Sequence, residues 1–150
     1  MCELIKNVRW GKVILAGLIF LAISIVLRQI ESFLTVDYYK MPEFFGVWSK
    51  VMMPKAAPPP INFYLASILF TLISGTILAV IYEKIRNIFP EDKWKKIFNF
   101  TCFITILSII FFTFPVYLLF HVPLALLLIW VVTSIIIYFL AAIVFNKLLH

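Results

Sequence analysis

The sequence predicts an all-α integral membrane protein, a four-helix transmembrane bundle with a short external amphipathic helix between its first and second helices. Three observations lead to this fold. Hydrophobic residues make up 64% of the 150 residues, charged residues make up only 13%, and the mean hydropathy is +1.09. A soluble domain is about 25% charged, so this chain cannot cover a water-facing surface with polar groups. The charges also lie in short runs between apolar stretches long enough to cross a bilayer.

The first predicted span covers residues 10–33. Basic residues precede an uncharged run over residues 13–27, as they do in a signal sequence. Arg28 and Glu31 follow this run where a cleavage site would have small residues. We therefore interpret the run as an uncleaved signal anchor and as the first helix of the mature protein.

The next segment, residues 37–60, is predicted to lie outside the membrane. Over residues 41–53, large apolar side chains recur at spacings of three and four, which is typical of an amphipathic helix in the headgroup plane. Three consecutive prolines at residues 58–60 then favour an extended chain, because proline lacks a backbone donor. Two interpretations stay open: a lid over a polar cavity, or a plain anchor resting on lipid. The apolar side chains that carry either role are Phe44, Phe45, Trp48 and Met52.

The remaining spans are predicted at residues 62–83, 97–119 and 124–146. No Asp, Glu, Lys or Arg lies between Ile97 and Asn146. One helix of that length would extend roughly 75 Å, far beyond a hydrocarbon core of about 30 Å. The chain must therefore fold back, and His121 and Pro123 mark the turn, while Pro115 should kink the third span. Residues 1–150 thus form a single transmembrane domain.

The distribution of basic residues predicts a multi-pass protein of the cell (plasma or inner) membrane with both termini in the cytoplasm. Four spans place the two termini on one side, and basic residues concentrate on the cytoplasmic side of membrane proteins. The opposite side holds Arg28, Lys40, Lys50 and Lys55. The termini share their side with the larger set, Lys6, Arg9, Lys12, Lys84, Arg86, Lys93, Lys95, Lys96 and Lys147.

Four polar residues are candidates for function. Arg28 and Glu31 are three apart, so they share a helical face and can form an ion pair. Such a pair inside a membrane span is a functional hypothesis, whereas at the outer interface it is ordinary. Asp37 could join the pair, and His121 could relay protons or bind a metal, although its position at a hairpin tip suggests a plain turn residue.

Two further patterns predict packing. Small residues that recur every four positions along the second span let two helices approach closely, with the partner a helix of the same chain or of a second subunit. Trp130 and Tyr138 lie inside the fourth span, where we expect each to form a structural hydrogen bond and weigh this above contact with a substrate. The small residues of the second span are Ser67, Thr71, Gly75 and Ala79.

The function expected from these patterns is that of a non-enzymatic structural or accessory membrane protein. No catalytic, cofactor-binding or metal-binding motif is present, and no charged residue with which to perform chemistry lies between Ile61 and Tyr82 or between Ile97 and Asn146. The expected partners are membrane lipid, a second copy of the chain or another membrane protein; we expect no nucleic acid, cofactor or metal. The alternative is a small oligomeric transporter or channel that uses Glu31, Arg28 and the polar face of the second helix.

Overall fold

The computed structural model describes residues 8–55 and 58–149, and within them the chain is helical with no strands. A π-helical segment, Ile109–Thr113, joins the third and fourth helices, and short 3-10 helices lie at Pro42–Val47 and Arg86–Ile88. The α-helices are α1 (Trp10–Lys40), α2 (Ile61–Ile85), α3 (Lys93–Ser108), α4 (Phe114–Leu119) and α5 (Leu124–Leu148).

The prediction of four membrane-crossing helices is confirmed at the level of length and composition. The candidate spans are Trp10–Lys40, Ile61–Ile88, Lys93–Leu119 and Leu124–Leu148. The first helix is longer than predicted, since it continues past residue 33 to Lys40. No glycine or proline interrupts it after Gly17, and it ends just before Pro42, where the proline ring disfavours a helical residue in front of it.

The third span departs from a regular helix, as expected from Pro115. Because proline has no N–H, one carbonyl in the preceding turn loses its helical partner. The structure accommodates this with the π-helical segment, in which the N–H of Phe114 donates to the carbonyl of Ile109. The predicted hairpin is also confirmed, since α4 ends at Leu119 and α5 begins directly after Pro123.

The external segment differs from the predicted amphipathic helix over residues 41–53. It contains only the 3-10 helix Pro42–Val47, after which Trp48 is extended, with φ −72° and ψ 139°. Gly46 has a low helix propensity and lies in the middle of the predicted helix, which favours this early end. The large apolar side chains Phe44, Phe45, Trp48 and Met52 are nevertheless half-buried.

The helices contact one another in the order α2, α1, α5, α3, so that α1 lies between α2 and α5. Arg9 pairs with Glu83 at 2.6 Å and also donates to the carbonyl of Leu149. The start of α1, the end of α2 and the end of α5 therefore meet at one end of the molecule, which we call the Arg9 end. Tyr82, Phe100 and Phe145 form an aromatic core there, with ring centroids 4.9–6.3 Å apart. The external segment lies at the opposite end, the Trp48 end.

Candidate functional site

An ion pair within α1 is hydrogen-bonded to α5 in the half of the molecule nearer the Trp48 end. Arg28 Nη1 lies 2.6 Å from Glu31 Oε2, and Arg28 Nη2 donates to Ser134 Oγ at 2.8 Å. Glu31 is 5% exposed, whereas the side chain of Arg28 is 42% exposed. The carboxylate is thus enclosed by the helices, and the guanidinium reaches it from a more open position.

The buried face of α1 becomes polar towards this pair. Ser24, Glu31 and Thr35 are all buried and recur at helical spacing, so they lie along one side of the helix. Thr35 Oγ1 donates to the carbonyl of Glu31 at 2.8 Å, which satisfies the hydroxyl within its own helix. Apolar neighbours fill the same face nearer the Arg9 end, where Val13 and Phe20 are buried.

Three aromatic side chains cover this end of the α1–α5 contact. The ring centroid of Trp48 lies 4.8 Å from that of Tyr39 and 6.5 Å from that of Trp130. Trp130 Nε1 donates to the Tyr39 hydroxyl at 3.2 Å, which confirms the hydrogen bond predicted for Trp130. Within the described part of the chain, the Trp48 indole nitrogen is buried without a partner. The external segment therefore packs on the helices through Trp48.

The two other candidate polar residues lie apart from the ion pair. His121 is exposed at the tip of the α4–α5 hairpin, where its ring meets that of Phe44 at 5.0 Å, nearly edge to face. Asp37 is exposed on α1, while Glu31 is buried on another face of the same helix. Among residues 8–55 and 58–149, no group of three or more His, Cys, Asp or Glu side chains could hold a metal ion.

A crevice with hydroxyl groups in its wall lies beside the ion pair, between the π-helical segment and α5. Its cavity volume is about 10 Å³. Tyr138 OH lies 3.4 Å from Ser108 Oγ, a long contact for the hydrogen bond predicted for Tyr138. Ser134 belongs both to this crevice and to the ion-pair cluster. The polar side chains in its wall are Thr105, Ser108, Thr113, Trp130, Ser134 and Tyr138.

The small-residue stripe of α2 partly faces α1 of the same chain. Gly75 and Ala79 are buried, and Ser67 and Thr71 are half-buried. A Cβ added at Gly75 would lie 2.5 Å from Cδ1 of Phe20. Seen from α1, a Cβ at Gly17 would lie 2.5 Å from Oγ1 of Thr76 and 3.2 Å from its backbone.

Sequence reasoning missed several members of these clusters. Gly17 and Ser134 are small residues in apolar helices, and their neighbours in the sequence do not identify a partner on another helix. Ser134 bonds to a residue 106 positions away, and Tyr39 bonds to one 91 positions away. A signal did exist for Tyr39, because a tyrosine near a membrane interface carries a hydroxyl that requires a partner.

Four helices of the described chain are long and apolar enough to cross a membrane, which indicates a multi-pass α-helical membrane protein. Comparison with protein-family models, with curated proteins and with solved structures finds no match.

Proposed function

We propose that the protein is a non-enzymatic accessory component of the cell membrane that acts by binding lipid, a second copy of itself or another membrane protein. In this proposal its four helices insert as one bundle and form a single domain. The most exposed apolar side chains support insertion, because a water-soluble protein rarely exposes so many of them. Phe33, Leu34, Phe70 and Phe111 are each more than 70% exposed.

The proposal depends mainly on the fact that the charges of Arg28 and Glu31 are both bonded within the chain. Glu31 is paired with Arg28, and Arg28 is also bonded to Ser134, so both charges are satisfied within the chain. A catalytic or ion-binding carboxylate would need to reach a substrate, whereas Glu31 is 5% exposed. The cluster is therefore better suited to hold α1 against α5 than to act on a ligand.

A small oligomeric transporter or channel is the second candidate function. It is supported by the hydroxyl groups of the crevice and by Ser134, which joins that crevice to Arg28. The crevice's cavity volume of about 10 Å³ is far below the roughly 300–1,000 Å³ of typical ligand pockets. A transporter or channel would also need the small residues of α2 to line its pathway. Gly75 and Ala79 are instead buried, and Gly75 packs on Phe20 of α1.

A flux measurement separates the two candidates. We expect liposomes that contain the purified protein to leak protons and potassium ions no faster than protein-free liposomes, because the carboxylate of Glu31 is buried and paired with Arg28. The variant Thr105→Val tests the crevice, since its hydroxyl is buried without a partner in the described structure. Thr71→Val on α2, outside the crevice, is the control. Protein-dependent flux that Thr105→Val abolishes and Thr71→Val retains would overturn the accessory role in favour of transport.

The proposed orientation places the Arg9 end in the cytoplasm. The excess of basic residues on that side supports this orientation. The bond from Arg9 to the carbonyl of Leu149 also supports the location of both ends of the helical domain on one side. Lys50 and Lys93 are both exposed and lie on opposite sides. With Cys2 and Cys102 replaced by serine, a membrane-impermeant maleimide applied to intact cells should label Lys50→Cys and spare Lys93→Cys. The reverse pattern would show that the orientation is inverted.

A further inference from the structure

A second polar crevice lies at the Arg9 end, away from the ion-pair cluster. Its cavity volume is about 110 Å³. It opens where the end of α2, the first turns of α3 and the end of α5 converge. Its wall is formed by Tyr82, Arg86, Asn87, Lys96 and Asn146.

The floor of this crevice is buried and offers hydrogen-bond donors. Tyr82 and Asn146 are 1% and 7% exposed, and the Tyr82 hydroxyl donates to Asn146 Oδ1 at 2.9 Å. This bond uses the amide oxygen as acceptor, so the NH₂ group of Asn146 remains as a donor. Asn87 adds a second amide from the 3-10 helix that follows α2.

The wall of the crevice also carries two positively charged side chains, those of Arg86 and Lys96. Arg86 donates through Nη1 to the neutral carbonyl of Leu149, and its Nε is buried without a partner among the described residues. Lys96 adds a second cation, half-buried in the wall. None of the described residues in the wall is acidic, and the nearby Glu83 is already paired with Arg9.

Cations and amide donors that converge on one cavity are the groups that bind a phosphate. We propose that this crevice binds the phosphate headgroup of an anionic phospholipid, an inference that rests on the proposed role as a lipid-binding membrane component. The position favours a lipid over a free phosphate, because the crevice lies where apolar helices end and basic pockets between helices bind lipid headgroups. Ile88, which follows Asn87 in the chain, and Trp94, in the first turn of α3, are exposed and offer apolar surface to acyl chains at this end of the molecule.

The test is a lipid titration of the full chain in detergent micelles, with bound molecules counted by native mass spectrometry. Phosphatidylglycerol, phosphatidylcholine and inorganic phosphate are the probes. Lys96→Gln should weaken phosphatidylglycerol binding about tenfold or more, the loss expected for one charge-assisted hydrogen bond. Lys95→Gln makes the same charge change one residue away on an exposed side chain, and should alter binding by less than about twofold.

Lys96→Arg should retain phosphatidylglycerol binding, because the positive charge at position 96 is kept. Equal losses in Lys96→Gln and Lys95→Gln would mean diffuse attraction and would overturn the site. Equal affinity for phosphatidylcholine and phosphatidylglycerol would overturn the anionic ligand, and competition by inorganic phosphate at the same concentration would overturn the lipid assignment. Flux through liposomes tests the accessory role separately, so either proposal can fail without the other.

Discussion

Arg28→Gln is expected to lower the free energy of unfolding by about 3 kcal/mol, the lower end of the cost of breaking a buried ion pair. The reason is that Glu31, at 5% exposure, would keep its carboxylate between α1 and α5 without a partner. Glu31→Gln should cost less. The side chain of Arg28 is 42% exposed, so its charge can extend to the water or headgroup region when the carboxylate is gone.

The measurement is thermal or denaturant unfolding of the purified protein in one detergent. The double variant Arg28→Leu/Glu31→Leu should recover most of the lost stability, because apolar replacement of a whole buried pair is often neutral or stabilising. Lys40→Gln, at the exposed end of the same helix, controls for the loss of one positive charge. If Arg28→Gln and Lys40→Gln are equally stable, the ion pair contributes nothing to the fold and the accessory proposal loses its main support.

Gly75→Leu should destabilise the protein by about 1–3 kcal/mol, because it overpacks the contact between α2 and α1. Even a single Cβ at this position would lie 2.5 Å from Cδ1 of Phe20 and 2.8 Å from its Cγ. The Phe20 side chain is 5% exposed, so it has little space into which to move. Gly75→Ala should therefore also be destabilising, although alanine is the better helix former.

Gly11→Leu and Gly11→Ala are the matched controls for this contact. Gly11 lies in α1, and a Cβ added there would meet nothing within 4 Å. These substitutions should leave the melting temperature unchanged or raise it slightly, since glycine is a poor helix former. An unchanged melting temperature for Gly75→Leu as well would show that α2 and α1 separate easily, in disagreement with the packing described above.

The sequence by itself determined the class of this protein and the places where its chain turns. Composition decides the class, because so few charged residues cannot cover a soluble surface. Local chemistry decides the turns: Pro123 permits the hairpin, and Pro115 disturbs the third helix whatever packs beside it. Asp92 also caps α3 through its own neighbours, accepting from the Lys95 N–H at 2.8 Å. Each of these features depends on one residue and its neighbours in the sequence, so it can be predicted from the sequence alone.

Only the tertiary structure decided which polar residues meet. Arg28 and Glu31 pair within one helix, and the sequence predicted this pair. Their third partner, Ser134, lies on α5 and reaches Arg28 only because α5 packs against α1. The position of Trp48 is likewise set by tertiary packing, since its ring contacts those of Tyr39 and Trp130. The periodicity of residues 41–53 predicted a longer helix facing lipid. Along an apolar helix every face looks alike in sequence, since lipid and a neighbouring helix both accept apolar side chains. The packing of the helices therefore determines which face of each helix is buried. It also determines where the two polar crevices lie.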